Sequence, residues 1–562
     1  MKILLCAINS KYIHSTLGIH YLYSAYQSTS SNHTVELYES TINNSKHRVI
    51  EDIYNHMPDV IGFSTYIWNI EYVLMLIDSI KKILPNVIIY LGGPQATFDF
   101  HNLLEHNANI EFISMYEGEN AFIQLLANNF NYKDCCNIAY RNKQEIVVND
   151  NKELCRYFNP YTDKYMSMLN SKIAYIETSR GCPFSCAFCL SGRKDNVRYF
   201  DIDICKDNIV KLANSGSKTI KFVDRTFNAN AKRSDEILQF ILDKFQLKEI
   251  PSDICFHFEI AADLLNEKSL EFIKKFPPGL IQFEAGLQSF NNQTLSEINR
   301  ATNIEKLVSN LKLLAGFNNN HLHIDLIAGL PLEDYESFQK GFNLAYEINA
   351  DVIQVGFLKL LHGSKLRQEM DSYNYKCSDY SPYEILENDF ISYSELNEIH
   401  LMEDVVDKLY NSNKFKDSLK YILKSMNIEP YNLFLDFAFY LKKHDVDKCS
   451  QENYAKHLYN FCLSNGLNQQ ILRDTMCLDK MRSDKFGRVY AFLHNEDEKL
   501  GIIKKMMKDK NSMFHKYLDL FKKGLVGMFI SYTDNTLYIF DYSIYNTAKN
   551  EYEYEQYPLN II

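Results

Sequence analysis

Cys182, Cys186 and Cys189 fall within eight residues, in the stretch Ser179-Arg180-Gly181-Cys182-Pro183-Phe184-Ser185-Cys186-Ala187-Phe188-Cys189-Leu190. The spacings are C-x3-C and C-x2-C, with aromatic Phe188 directly before the last cysteine. A structural zinc site takes four ligands, usually as two pairs, whereas the nearest other cysteines, Cys155 and Cys205, each stand alone. A four-thiolate iron–sulfur protein needs a fourth cysteine too. Three thiolates placed just after a strand end suggest a [4Fe–4S] cluster with one iron left open. An open position is what catalysis uses and a structural site avoids. Two blander readings of the same residues are three buried thiols clustered by chance and a non-catalytic iron–sulfur module.

The cysteine spacing and Phe188 resemble the signature of radical S-adenosylmethionine (SAM) enzymes. The resemblance implies a cluster held by Cys182, Cys186 and Cys189, with SAM chelating the open iron. One electron from the cluster then cleaves SAM to methionine and a 5′-deoxyadenosyl radical. Later segments match the family position by position. Phe222-Val223-Asp224-Arg225-Thr226 ends a strand, and Asp224 is the carboxylate matching the contact to the SAM amino group, in place of the commoner Gly-Gly-Glu form. Glu259 closes the next strand, Glu284-Ala285-Gly286-Leu287-Gln288-Ser289 is similar to E-x-G-x-Q-S, and Asp325 opens a D-x-I-x-G-L-P turn. Arg300 falls where relatives place a basic residue near the SAM carboxylate. The implied SAM contacts are Phe188, Asp224, Glu259, Glu284, Gln288 and Arg300.

The residues ahead of this core resemble the cobalamin (B12)-binding domain of one large subgroup, whose motif is D-x-H-x-x-G, then S-x-L, then G-G. Gly18, Ser64 and Gly92-Gly93 stand in that order, but Ile13 and Ser15 occupy the Asp and His positions and Tyr66 replaces the leucine. His14 is one place off the register of a cobalt ligand. The resemblance implies base-off cobalamin without a protein imidazole, bound near Gly18, Ser64, Thr65, Gly92, Gly93, Pro94, Glu117 and Gly118. A flavodoxin-like domain kept for packing is the alternative. The implied function is cobalamin-dependent methyl transfer to an unactivated carbon of an unknown substrate. Rearrangement or cyclisation with cobalamin structural or absent, or a non-catalytic iron–sulfur protein, are the alternatives. A two-cluster methylthiotransferase would need three more cysteines in front, and only the badly spaced Cys6, Cys135 and Cys136 are there. The chemistry needs an electron donor, a reductase or a flavodoxin or ferredoxin.

These residues require elements to position them. At 562 residues, with 46% hydrophobic and 23% charged, the chain can bury several cores. A net charge of −11 argues against a nucleic-acid scaffold. No run of 18 apolar residues suggests a membrane span. Thirteen cysteines, an odd number, suit a reducing cytoplasm. Strands are expected at 2–8, 34–38, 60–64, 87–91 and 110–115, with helices such as 15–26 and 70–83 between, the alternation of a wrapped parallel sheet. Six further strands follow at 173–178, 219–223, 254–260, 280–286, 321–327 and 352–358. Helices are expected over 384–411 and 451–462, and a hairpin over 528–542 turning at Thr533-Asp534-Asn535.

The expected fold class is therefore α/β. It comprises an N-terminal flavodoxin/Rossmann-like cobalamin-binding domain (1–135), a linker (136–170) and a central partial (β/α)6 TIM-like radical SAM barrel (171–370). A mostly helical C-terminal accessory domain with a β-hairpin (371–562) completes it.

Overall fold

The computed structural model describes the chain except residues 144, 151–154, 192–195, 486–487, 495–497, 547–550 and 562. It forms two units. The first comprises Met1–Ile260, Ser296–Ala301 and Leu358–Asn388, and the second comprises Ala261–Leu295, Thr302–Phe357 and Asp389–Ile562.

The first unit opens with a seven-stranded sheet. Its order is Thr34–Thr41, Lys2–Asn9, Val60–Ser64, Ile88–Gly92, Phe112–Ser114, Ile138–Asn142 and Glu145–Asn149. The first five strands are parallel and the last two form an antiparallel hairpin. Six consecutive residues of Lys2–Asn9 are buried. Because side chains alternate across a strand, Leu4, Cys6 and Ile8 enter one core while Ile3, Leu5 and Ala7 enter the other. The helix Ile70–Ile83 supplies Val73, Leu76, Ile77 and Ile80 to the first core and carries Lys81 and Lys82 in its last turn, where cations suit the helix dipole. Helix Gly18–Gln27 supplies Ile19 to the second core. It starts later than the sequence pattern suggests, because His14 pairs with Ile173 as a parallel bridge and holds 15–17 out of the helix.

The same unit holds three further parallel strands, Ala174–Ile176, Thr219–Phe222 and Cys255–Ile260. The second unit holds three more, Ile281–Gln288, Asn320–Ala328 and Val352–Phe357, again parallel. All six expected core strands form.

The rest of the second unit is mostly helical, including Tyr393–Val406, Lys416–Met426, Pro430–Lys443, Gln451–Ser464 and Gln469–Ser483. The expected helix 384–411 is wrong at its start. Ile385–Glu387 is a strand paired with Lys376–Cys377, and the helix begins only after Ser392, whose side chain forms a capping box with Glu395. The C-terminal hairpin turns at Asn535 as expected and gains a third strand, Glu551–Pro558.

Candidate active site

The cysteine loop is set by what precedes it. Ser179–Arg180 pairs with Arg198–Tyr199, and Gly181 follows at φ +95°, where an added Cβ would lie 3.1 Å from the Asn196 carbonyl. The Arg180 guanidinium meets Glu119 at 2.8 Å, Glu177 at 3.0 Å and Glu117 at 3.3 Å, and lies 4.4 Å over the Tyr21 ring. Arg198 also pairs with Glu117 and donates to the Cys155 carbonyl at 3.1 Å. Glu117 therefore serves the cysteine strand, a role the sequence reading did not give it. The sequence reading missed this network altogether, although the Glu-x-Glu at 117–119 and the arginine before Gly181 were its visible signal.

Within the loop, the Ala187 N–H donates to Ile298 at 2.8 Å and its carbonyl accepts from Leu366 at 3.0 Å. Arg300 brings Nη1 to 3.7 Å from the Cys186 sulfur and stacks 5.9 Å over Phe184. Thr226 Oγ1 lies 3.7 Å from the Cys182 sulfur, and the Ser191 N–H donates to the Cys189 sulfur at 3.4 Å. Burial pushes the Cys186 thiol pKa up, Arg300 opposes it, and the neighbouring Cys189 and Cys182 add to it. Among the described residues, the group of His, Cys, Asp and Glu ligand atoms close enough to share one metal ion is Glu117, Glu119 and Cys155. Its carboxylates are already engaged by arginines. The three motif cysteines do not form such a group, which fits thiolates that bind separate irons of a cluster better than ligands of one zinc.

Asp224 is 2% exposed and accepts from the Thr178 N–H at 3.0 Å, Thr178 Oγ1 at 2.7 Å and Ser179 Oγ. Burial raises its pKa to about 6. Its oxygens thus brace the strand leading to the cysteines. Glu259 pairs with Lys221 at 3.3 Å, and Phe188 is half-buried in the loop.

Glu284 and Gln288 lie in the second unit, on a strand whose residues alternate strictly between buried and half-exposed. The half-exposed row holds Gln282, Glu284, Gly286 and Gln288, and the adjacent strand contributes His321, His323 and Asp325. Parallel sheets normally bury both faces, so a polar, open row marks a face kept for a ligand. At Gln288 the backbone has φ +71° beside a register shift, and its buried Oε1 has no hydrogen-bond partner among the described residues. An orphaned acceptor on a strained residue fits a polar ligand such as SAM.

The N-terminal sheet offers its own site. Its order places the topological switch point between Lys2–Asn9 and Val60–Ser64, where open α/β sheets bind ligands at the carboxyl ends of strands. Ser64 and Gly92 are register partners at two such ends. Gly93 has φ +96°, and a Cβ there would strike the Thr65 carbonyl at 2.6 Å. Thr65 is fully buried and joins the ends by donating Oγ1–H to Gly92 at 2.8 Å and accepting from Ala96 N–H at 3.1 Å. Pro94 opens the following short helix, Gly18 opens helix Gly18–Gln27, and Gly118 precedes helix Glu119–Ala127. The His14 ring is bound to the Tyr175 hydroxyl at 2.7 Å. His20 is fully buried 3.3 Å from Glu39, whose other oxygen takes Lys172 at 2.7 Å. Both imidazoles are thus already engaged by protein side chains.

Comparison with known proteins agrees with this layout. Residues 3–126 match the B12 binding domain, residues 176–345 the radical SAM superfamily, and residues 371–557 a family described as protein of unknown function (DUF4080). The chain is 25% identical over 330 residues to the cobalamin-dependent radical SAM methyltransferase TokK of Streptomyces tokunonensis, covering 55% of this chain and 48% of that protein. It is 25% identical to 2-(S-pantetheinyl)-carbapenam-3-carboxylate methyltransferase of Streptantibioticus cattleyicolor, covering 52% and 45%. The chain thus spans about half the length of these curated relatives. The solved structure of OxsB, a cobalamin-dependent SAM radical enzyme with aqua-cobalamin bound, superposes with a TM-score of 0.60 at 15% identity, covering 93% of this chain and 83% of that one. TsrM of Kitasatospora setae, solved with cobalamin and a [4Fe–4S] cluster, gives 0.55 at 13% identity, covering 68% and 78%. These likenesses bear out the α/β fold class, and the matched domains carry the cofactor set of [4Fe–4S] cluster, SAM and cobalamin. The matches thus join a B12-binding domain, a radical SAM domain and a DUF4080 region in one chain.

Proposed function

We propose that this protein is a cobalamin-dependent radical SAM methyltransferase acting on an unactivated carbon. The observation that carries the reading is the bond between its two cofactor regions. Glu117 and Glu119, after the last parallel strand of the N-terminal sheet, clamp Arg180 of the strand that leads into Cys182. The cysteine loop is thereby fixed to the domain that matches the B12 binding family. Bound there, the cluster and SAM supply a 5′-deoxyadenosyl radical and cobalamin supplies a methyl group.

The chain's own residues do the holding. Cys182, Cys186 and Cys189 are the cluster ligands, with Arg300 setting positive charge against Cys186. Phe188 and Glu259 are assigned to SAM, and Asp224 to orienting the strand before the loop. Gly18, Ser64, Thr65 and Gly92 to Pro94 are assigned to cobalamin, with Gly93 letting its backbone pack directly on Thr65. A reductase, flavodoxin or ferredoxin supplies the electron, no nucleic acid takes part, no segment spans a membrane, and the free thiols suit the cytoplasm. Among the described residues no helix is long and apolar enough to cross a membrane.

The test is anaerobic reconstitution with iron, sulfide and cobalamin, followed by analysis of SAM products. The expected outcome is S-adenosylhomocysteine together with 5′-deoxyadenosine, and a reconstituted protein that forms neither sinks the proposal. A second reading, ring closure or rearrangement, draws on the similarity to the anaerobic magnesium-protoporphyrin IX monomethyl ester cyclase of Cereibacter sphaeroides, 22% identical over 60% of this chain and 57% of that one. It would give 5′-deoxyadenosine without S-adenosylhomocysteine.

A further inference from the structure

Within the first unit, a cavity of about 310 Å³ opens between the start of helix Ile70–Ile83, the helix Phe100–His106 and the segment Leu358–Asn388. Its lining residues include none of those assigned above to a cofactor, and its size suits a small organic ligand. The walls are fixed pieces. Gly363 has φ +86°, and a Cβ there would strike the Phe98 ring, so the segment packs directly on the helix Pro94–Phe98. The Tyr383 hydroxyl accepts from Gln95 Nε2 at 2.8 Å. Leu366 donates its N–H to the Ala187 carbonyl at 3.0 Å and so holds the short helix Lys365–Gln368 in place.

The charged groups of the cavity are unequally satisfied. Asp99, 6% exposed, has His362 Nδ1 at 3.4 Å from one oxygen, and its other oxygen accepts from Gln95 at 3.4 Å and Asn102 at 3.5 Å. Half-buried Arg367 uses only Nη1, which donates to the Leu360 carbonyl at 3.4 Å and the Cys377 sulfur at 3.2 Å. Among the described residues Arg367 forms no ion pair, and its Nη2 and Nε meet no acceptor. Glu71 and Asp379, both exposed, line the same cavity and have no hydrogen-bond or ion-pair partner among the described residues. Charges of both signs thus share one cavity without reaching each other.

We propose that this cavity is a binding site for a small aliphatic amino acid, with its carboxylate on the open edge of the Arg367 guanidinium and its ammonium towards Glu71 and Asp379. The site goes beyond the methyl-transfer reading and does not depend on it. The planar edge of an arginine matches a carboxylate through two parallel hydrogen bonds, and here that edge is already ordered by the Leu360 and Cys377 contacts. A simple carboxylate would face two unpaired acids, and a simple amine would leave the guanidinium unpaired. A ligand carrying both charges satisfies both ends. Ile70, Leu74 and Leu103 supply the apolar wall for its side chain.

The test is isothermal titration calorimetry of the full-length protein with three probes. L-Leucine carries both charges, N-acetyl-L-leucine lacks the ammonium and isoamylamine lacks the carboxylate. The expected result is saturable binding of leucine, weakened about tenfold or more in each of the other two. Arg367→Gln should weaken leucine binding by about tenfold, and Glu71→Gln by about threefold. Glu71 is exposed and unpaired, so the Glu71→Gln protein should keep its melting temperature and serves as the test even where Arg367→Gln fails to fold. Leucine binding that is unchanged by Glu71→Gln lies at another site and overturns the proposal. So does N-acetyl-L-leucine or isoamylamine binding as tightly as leucine, which would reduce the cavity to a site for one charge. Absence of saturable leucine binding to the unsubstituted protein overturns it outright.

Discussion

Two parallel sheets in this molecule are built from similar β/α alternation and are used differently. In Lys2–Asn9 every central residue is buried, and both faces are packed under helices. In Ile281–Gln288 only alternate residues are buried, and the others form a polar row. The first sheet can meet a ligand only at its strand ends, where Ser64, Gly92 and Gly93 lie side by side. The second can meet one along its length. A sheet's burial period thus separates a ligand perched on the edge from one laid along the face.

The comparison breaks if the two strands respond alike to truncation. Leu4 is fully buried in the first sheet, so Leu4→Ala should cost about 2–5 kcal/mol. Gln282, at a half-exposed position of the second, should cost about 0.5 kcal/mol or less as Gln282→Ala. Urea midpoints of the two variants decide it, and equal shifts would mean that the polar row is packed structure.

A second prediction concerns what braces the polar row. Ser289 donates to Glu333, which is 2% exposed, and the other Glu333 oxygen has no hydrogen-bond partner among the described residues. Burial raises the Glu333 pKa to about 7; the Ser289 bond opposes the shift and Asp334 adds to it. The folded pKa lies above the unfolded value near 4.5, so the folded state binds the proton more tightly. The stabilisation is complete below about pH 4.5 and is lost as pH rises through 7, by about 3 kcal/mol in all. Calorimetry from pH 5 to 8 should show the unsubstituted protein losing melting temperature relative to Glu333→Gln. Parallel curves would place the Glu333 proton elsewhere.

Sequence spacing was enough to find the three cysteines, the eleven expected strands and the glycine positions, because each depends on local pattern. Contacts distant in sequence were not legible. Nothing local joins Glu117 to Arg180, and the shortened start of helix Gly18–Gln27 follows from a bridge to Ile173, far along the chain. The same limit applies to Asp224, legible as a strand-end carboxylate but not as the acceptor of Thr178 and Ser179. The helix expected from 384 failed for a local reason: Ser392 and Glu395 form a capping box that marks the true start.

The smallest expected effect gives the finest test of the polar row. Gln288 carries two costs in the protein alone, a left-handed φ of +71° and an orphaned buried oxygen. Such costs persist where a ligand makes use of the residue. Gln288→Gly relieves both, so the unloaded protein should gain about 1 kcal/mol of stability while SAM affinity, read by equilibrium dialysis on the reconstituted protein, drops by about tenfold. Stability and affinity moving in opposite directions would identify Gln288 as a ligand contact on the open face. If both fall together, the residue holds the strand, and the second sheet is closer to the first than its burial period implies.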